Sequence, residues 1–244
     1  MKFKIYAPLQ MYFASRLLYK QMVRLGKSVE IVNRIDPKDE SSIWIIYNNS
    51  LSWAVPKYYI SYQTEQKGTH WFNDRYYERL SKSLAVWEYN EGNIECYKHC
   101  NPNIQIVSTG VDLQPKQPKK IPLLFYGAIS ERRKKALEDI NGITIICDKL
   151  GVSMQPILSS AKTVVNIHYY DKSPLETFRI NEALSHHCNI VSEHSTSGDS
   201  DYADIVTFGN INELKYLVDI CEKPTPDLSK FDNFEQIKFA LSCL

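Results

Sequence analysis

The 244-residue sequence has no apolar run approaching the ~20 residues that a membrane-spanning helix needs. Its opening, Met1-Lys2-Phe3-Lys4-Ile5-Tyr6-Ala7-Pro8, lacks the apolar core of a secretory leader and reads as a first strand. The expectation is a soluble, cytoplasmic protein with no transmembrane segment. Excess charge is missing too: 29 Lys+Arg against 28 Asp+Glu leave a net charge of +1. Proteins that grip nucleic acid along its backbone carry a basic excess or stripe, so nucleic acid is not an expected partner. The six cysteines, Cys96, Cys100, Cys147, Cys188, Cys221 and Cys243, form no Cys-x-x-Cys pair. They read as thiols in a reducing compartment, with neither a disulfide framework nor the paired units of a structural zinc site. Gly127 alone makes no dinucleotide-binding fingerprint, and no Walker or Gly-x-Ser-x-Gly sequence occurs. Internal repeats and low-complexity tracts are absent as well.

What is present is alternation. Strand-like runs (Phe3–Tyr6, Val29–Val32, Ile43–Tyr47, Tyr58–Tyr62, Leu84–Trp87, Ile104–Val107) are separated by helical ones over about 11–25, 71–81 and 93–99. After residue 120 the pattern resumes, with strands at Leu123–Tyr126, Ile143–Ile146, Val164–His168, Asn189–Ser192 and Ile205–Phe208. Helices are expected there over 131–140, 154–161, 175–187, 213–221 and 233–241. Between the halves lies Gln114-Pro115-Lys116-Gln117-Pro118-Lys119-Lys120, which has two prolines, three lysines and no apolar residue and reads as an exposed linker. Strand-helix alternation of this kind builds parallel, doubly wound sheets. The expected fold is therefore α/β with two Rossmann-like lobes, residues 1–114 and 115–244, and a ligand cleft between them at the carboxyl ends of the strands. The last helix is a candidate to cross back onto the first lobe.

Two strand-to-helix turns stand out. In Tyr126-Gly127-Ala128-Ile129-Ser130-Glu131-Arg132-Arg133-Lys134-Lys135, Gly127 turns the chain and Ser130 is placed to cap a helix whose first turn is basic. Cations are unfavourable at a helix N-terminus, so their presence there suggests that an anion such as phosphate occupies the spot. The competing reading is a solvated charged face relieved by Glu131 and Glu138. In Ile167-His168-Tyr169-Tyr170-Asp171-Lys172-Ser173-Pro174-Leu175-Glu176-Thr177-Phe178-Arg179-Ile180-Asn181-Glu182, Ser173, Pro174 and Glu176 have the spacing of a capping box. That explains Glu176 and leaves Arg179 and Glu182 with no more than a weak surface pairing.

The run Glu176-Thr177-Phe178-Arg179-Ile180-Asn181-Glu182-Ala183-Leu184-Ser185, continuing into Cys188-Asn189-Ile190-Val191-Ser192-Glu193, resembles the nucleotide-sugar signature of GT-B glycosyltransferases. Its two glutamates stand six apart where the common retaining pattern has eight, and His186-His187-Cys188 replaces the usual glycine turn. It is closer to a compact, divergent branch that includes CgeB-like, viral and bacterial proteins. In the first half only Tyr62-Gln63-Thr64-Glu65-Gln66 and Val86-Trp87-Glu88-Tyr89-Asn90 are similar to that branch. The resemblance implies a metal-independent hexosyl or pentosyl transfer in glycan biosynthesis, from a UDP- or GDP-linked sugar to a hydroxyl acceptor on a glycan, with no further cofactor. It implies Glu182 at the ribose hydroxyls, Glu176 and Arg179 bordering the diphosphate or sugar, and Gly127, Arg132 and Arg133 against the phosphates. His168, at a strand end, is a candidate to face the sugar. Arg132 and Arg179 are expected to stabilise the leaving diphosphate. Glu65, just past a strand end, is the first candidate for the base that deprotonates the acceptor, with His70 and Asp112 behind it. Two alternatives stand beside this reading: a nucleotide- or phosphosugar-binding protein without turnover, and a DNA-modifying glucosyltransferase. Asp199-Ser200-Asp201 spells the metal-binding D-x-D of another fold, but it sits in a polar loop and is read as loop or helix capping.

Overall fold

A computed structural model describes residues 2–48, 50, 54–221 and 227–244. The chain forms two compact units, Met1–Gly110 with Asp232–Leu244, and Val111–Phe231.

Among the described residues the first unit holds six strands: β1 (Lys2–Tyr6), β2 (Ser28–Val32), β3 (Ser42–Tyr47), β4 (Tyr59–Gln63), β5 (Ala85–Glu88) and β6 (Ile104–Ile106). They form one parallel sheet in the order β2-β1-β3-β4-β5-β6. Every residue of β3, β4 and β5 is buried, as a parallel strand covered on both faces requires. Helix α1 (Tyr12–Arg24) buries Phe13, Ala14, Leu17, Leu18 and Met22 along one face. It ends where Gly26 takes φ 69° and Lys27 N–H returns to the Met22 carbonyl at 3.0 Å, an ending that glycine accepts without a Cβ penalty. Helix α2 (Asp74–Lys82) is capped by the Asn73 side chain, which accepts from Tyr76 N–H. The helical turn expected near 93–99 is instead a short 3-10 segment, Glu91–Cys96.

The second unit holds β7 (Ile121–Tyr126), β8 (Ile143–Ile146), β9 (Ala161–Asn166), β10 (Asn189–Glu193) and β11 (Val206–Gly209), with helices α3 (Glu131–Glu138), α4 (Gln155–Ser160), α5 (Thr177–Ser185) and α6 (Leu214–Leu217). Its sheet is parallel in the order β11-β10-β9-β7-β8. Leu124, Val164, Leu184 and Ile190 pack in a core cluster on one side of this sheet, and Phe125, Leu137, Val165, Val191 and Leu214 form another. Each such side chain, fully buried, contributes about 1.5–3 kcal/mol. The strand order reverses between β7 and β9, which makes their carboxyl ends the crevice where doubly wound sheets bind ligands.

The division between the units differs from the one expected at residues 114 and 115. Residues 114–120 are irregular and mostly exposed, but they belong to the second unit: Gln114 N–H donates to the Ser185 carbonyl and Lys119 Nζ to the His186 carbonyl. The C-terminal helix α7 (Phe234–Ser242) belongs to the first. Ser108 donates to Gln236 Oε1 from its N–H (2.9 Å) and Oγ (2.7 Å), Asn233 Nδ2 donates to the Ser108 carbonyl, and Ile237 and Ala240 are buried. Contacts that span 125 residues or more of chain set this boundary, and linker composition carries no trace of them.

Candidate functional site

Strand β7 delivers Tyr126 and Gly127 to the switch point. Gly127 has φ 125°, and a Cβ placed there would lie 2.8 Å from Arg179 Nη2. Glycine is therefore required by the backbone, and any Cβ would also push the Arg179 guanidinium aside. Ser130 Oγ accepts from Arg133 N–H and caps α3, as expected of a residue at that place.

The basic turn that follows is folded inward. Arg133 is 2% exposed. Its Nε donates to the Ile167 carbonyl (2.8 Å), Nη1 to the Ala128 carbonyl (2.9 Å) and Nη2 to Glu176 Oε1 (2.9 Å). Burial, together with the nearby Arg179 charge, pulls its pKa down to about 10. Arg132 forms a fork onto Glu193, the last residue of β10, with Nη1 at 2.9 Å from Oε2 and Nη2 against Oε1. It also donates to the His168 carbonyl at 3.0 Å, and Asp171 lies 3.8 Å away. From α5, Arg179 places Nη2 at 3.0 Å from Glu176 Oε2 and Nη1 at 3.2 Å from Asn166 Oδ1. Its guanidinium also lies over the Phe125 and Tyr126 rings. Three arginines from two helices thus converge at one strand-end crevice, each held by a carboxylate.

Glu176 is the hinge of this cluster, and the capping box expected around it does not form. Helix α5 starts at Thr177, and Glu176 occupies the cap position without a capping hydrogen bond. Ser173 Oγ instead donates to the Tyr170 carbonyl, and the 173–175 segment is pinned by Thr196 N–H to the Ser173 carbonyl and Leu175 N–H to the Ser197 carbonyl. Burial by itself raises the Glu176 pKa. It is outweighed by Arg179, His168 and Arg133, which hold the carboxyl below the usual carboxylate range. His168 is 1% exposed, and among the described residues neither ring nitrogen has a hydrogen-bond partner. Its Nδ1 lies 3.8 Å from Glu176 Oε1. A buried imidazole left unsatisfied is costly, which marks the position as one where a ligand group can complete the bonding.

Glu182 does not pair with Arg179. Its Oε1 accepts from Gln155 Nε2 (2.8 Å), and its Oε2 lies 3.2 Å from the Tyr126 hydroxyl, which also approaches the Arg179 carbonyl at 3.3 Å. Burial raises its pKa against these two donors. Gly127, Arg132, Arg133, His168, Glu176, Arg179 and Glu182 therefore lie at or next to one crevice of the second unit. Asn166, Glu193, Gln155, Tyr126 and His186 join them without having been singled out from the sequence. Glu193 had a signal: like Glu65, it is a carboxylate at or just past the carboxyl end of a strand.

Glu65 is in the first unit, just beyond β4. It is 8% exposed and accepts from Ser50 Oγ (2.6 Å) and Asn48 Nδ2 (3.4 Å), and burial raises its pKa. Gln63 clamps the Glu65 backbone: its Nε2 donates to the Glu65 carbonyl and to Glu88 Oε2, and its Oε1 accepts from Glu65 N–H. His70 is exposed and packs against Trp71 with the rings tilted by 37° and their centroids 4.4 Å apart. Asp112 falls in the second unit, where its N–H donates to Ser185 Oγ. Asp199 opens a 3-10 turn, Asp199–Tyr202, and accepts from Ser195 N–H and Oγ and from His194 in the loop before it. Among the described residues no three His, Cys, Asp or Glu side chains cluster as a metal site would require. No helix is long and apolar enough to cross a membrane among those residues.

No family model matches the chain. A curated relative, uncharacterized protein L137 of Acanthamoeba polyphaga mimivirus, is 26% identical over 176 residues, covering 65% of this chain. The chain spans only 22% of that protein's length. Among solved structures, HepE of Anabaena in complex with UDP superposes with a TM-score of 0.53 at 9% identity, over 99% of this chain and 95% of that one. An alpha-glucosyltransferase in complex with UDP and a 13-mer DNA superposes with a TM-score of 0.51, also at 9% identity, over 100% and 95%. The chain has the two-unit α/β fold of these proteins, the GT-B fold.

Proposed function

We propose that the chain is a glycosyltransferase that takes its sugar from a UDP-linked donor held in the second unit and passes it to a hydroxyl acceptor. The observation that carries this reading is the convergence of Arg133 and Arg179 on the β7–β9 switch point beside Gly127, with Arg132 at the neighbouring ends of β9 and β10. A leaving nucleoside diphosphate develops charge on its oxygens, and preorganised guanidinium groups in a partly dry site stabilise it strongly. In the free protein Glu176 and Glu193 supply the counter-charge. A diphosphate is the stronger anion and takes over part of that coordination. UDP is preferred to GDP because both similar structures hold UDP.

Glu182 is the ribose ligand in this account, and His168 faces the donor sugar or phosphate. Glu65 is the base: a carboxyl whose pKa burial has raised is closer in strength to the proton it must take than an exposed one. Arginines take the place that a metal ion fills elsewhere, so transfer is metal-independent. The acceptor is a sugar hydroxyl on a glycan, and the reaction is placed in the cytoplasm, where the six free cysteines stay reduced.

The test is a thermal-shift screen against sugar nucleotides, followed by donor turnover with and without candidate acceptors. A ligand that binds only the native state raises its stability, by about 2.7 kcal/mol at one hundred times Kd. UDP-sugars should stabilise the chain, and Glu182→Ala should abolish that effect. Binding without any turnover would favour a nucleotide-binding protein instead. A DNA acceptor is the second reading, favoured by the DNA complex among the similar structures. It requires duplex affinity that falls steeply with salt.

A further inference from the structure

Behind Glu182 runs a line of side chains that the ribose assignment does not by itself require. Ser159 Oγ lies 2.9 Å from His186 Nδ1, His186 Nε2 lies 2.9 Å from Gln155 Oε1, and Gln155 Nε2 lies 2.8 Å from Glu182 Oε1. From this geometry we infer that Ser159, His186 and Gln155 form a hydrogen-bond chain of fixed polarity that orients Glu182 toward the paired hydroxyls of a ribose, which makes His186 and Gln155 positioning residues of the nucleoside site. The inference rests on the donor reading above.

Each link dictates the next. An ionised carboxylate only accepts, so Gln155 must turn its amide nitrogen toward Glu182. Its carbonyl oxygen then faces His186 and also only accepts, so His186 carries its proton on Nε2. Nδ1 is left bare and accepts from the Ser159 hydroxyl. One tautomer satisfies the whole line, and all its donors point toward Glu182. Chains of this kind reinforce one another in a low-dielectric interior.

The imidazole must be neutral for this, and its surroundings keep it so. His186 is 4% exposed, Lys119 Nζ sits 2.5 Å from its carbonyl, and His187 follows it. Burial, Lys119 and His187 lower its pKa to about 4. The protein gives Glu182 one donor on each oxygen, Gln155 and Tyr126. A carboxylate has about four acceptor sites, so roughly one per oxygen is left over. Two adjacent hydroxyls, the 2′ and 3′ groups of a ribose, are a matching pair of donors. Without His186 the Gln155 amide is held only by Glu182 and by the Gly151 carbonyl, 3.5 Å from Nε2, and the carboxylate loses part of the orientation that makes that pair fit.

The test uses the full chain, UDP and 2′,3′-dideoxy-UDP. His186→Ala should weaken UDP about tenfold, the loss of one charge-assisted hydrogen bond's worth of positioning, and leave dideoxy-UDP unchanged. His186→Gln, whose amide can still donate to Gln155, should recover most of the UDP affinity. In turnover, His186→Ala should raise KM and leave kcat unchanged. Nitrogen NMR of the ligand-free wild type should show the neutral Nε2–H tautomer at His186. Equal loss for both nucleotides, no loss for either, an Nδ1–H tautomer or a charged ring would each overturn the inference. Failure of wild-type protein to bind UDP would overturn the donor reading and the ribose role together, while the tautomer still decides whether the chain exists.

Discussion

Replacing Glu176 by glutamine probes the heart of the arginine cluster. The carboxylate bridges Arg133 Nη2 at 2.9 Å and Arg179 Nη2 at 3.0 Å, and the Arg133 side chain is 2% exposed. An amide of the same shape keeps one acceptor and turns an N–H₂ toward the other guanidinium, so two cations are left with half a partner and no counter-charge. Breaking a buried ion pair on one side typically costs 3–5 kcal/mol. Arg179 keeps Asn166 and some solvent, which puts the expected loss near the lower end, about 3 kcal/mol. The four tryptophans, Trp44, Trp53, Trp71 and Trp87, all precede residue 111. Their fluorescence in a urea titration therefore reports the first unit, and hydrogen exchange of β7, β9 and α5 amides reports the second. The loss should appear in the exchange data. Pyrophosphate should restore it, by about 2.7 kcal/mol at one hundred times its Kd, and should bind the variant more tightly than wild type. A variant as stable as wild type, or one destabilised and indifferent to pyrophosphate, would refute the claim that these arginines are poised for an anion.

Three further outcomes follow from the same geometry. Gly127→Ala combines a left-handed backbone with a 2.8 Å clash against Arg179; it should cost about 1–3 kcal/mol and weaken UDP binding, measured by denaturation and calorimetry. His186 goes from 6.5 unfolded to about 4 folded. Its folded pKa is the depressed one, so stability is full above pH 6.5 and falls as the unfolded chain takes up protons first. The loss approaches about 3 kcal/mol near pH 4, and a stability-pH curve with that slope should flatten in His186→Gln. Glu65→Gln should lower kcat by about 10²–10⁴ while leaving UDP affinity unchanged, which a single-turnover transfer assay reads directly.

Much of this was legible in the sequence, for a physical reason: the features that could be read are local. Period-2 and period-3.6 patterns gave both parallel sheets, because a strand such as Ile43–Tyr47 is apolar throughout only when both faces are covered. Ser130 caps its helix as its type and place suggest. The arginines were visible as a violation of helix-terminus electrostatics, but their counter-ions were not. Glu193 is 61 residues from Arg132 and Glu176 is 43 from Arg133, and nothing local signals such pairings. Ser173, Pro174 and Glu176 have the spacing of a capping box, yet contacts of Ser173 and Leu175 with Thr196 and Ser197 in the loop beyond β10 move the helix start to Thr177. The Gln155–His186 line likewise depends on α4 meeting α5, a tertiary event. The domain boundary moved for the same reason, since the Asn233–Ser108 contact outweighs a proline- and lysine-rich composition.

The most direct measurement is a crystal structure of the chain with UDP. The diphosphate should lie at the β7–β9 switch point, within hydrogen-bond distance of at least two of Arg132, Arg133 and Arg179, with the ribose hydroxyls on Glu182. A nucleotide bound elsewhere, or those three guanidinium groups still wholly engaged by Glu176 and Glu193 beside a bound UDP, would contradict this placement.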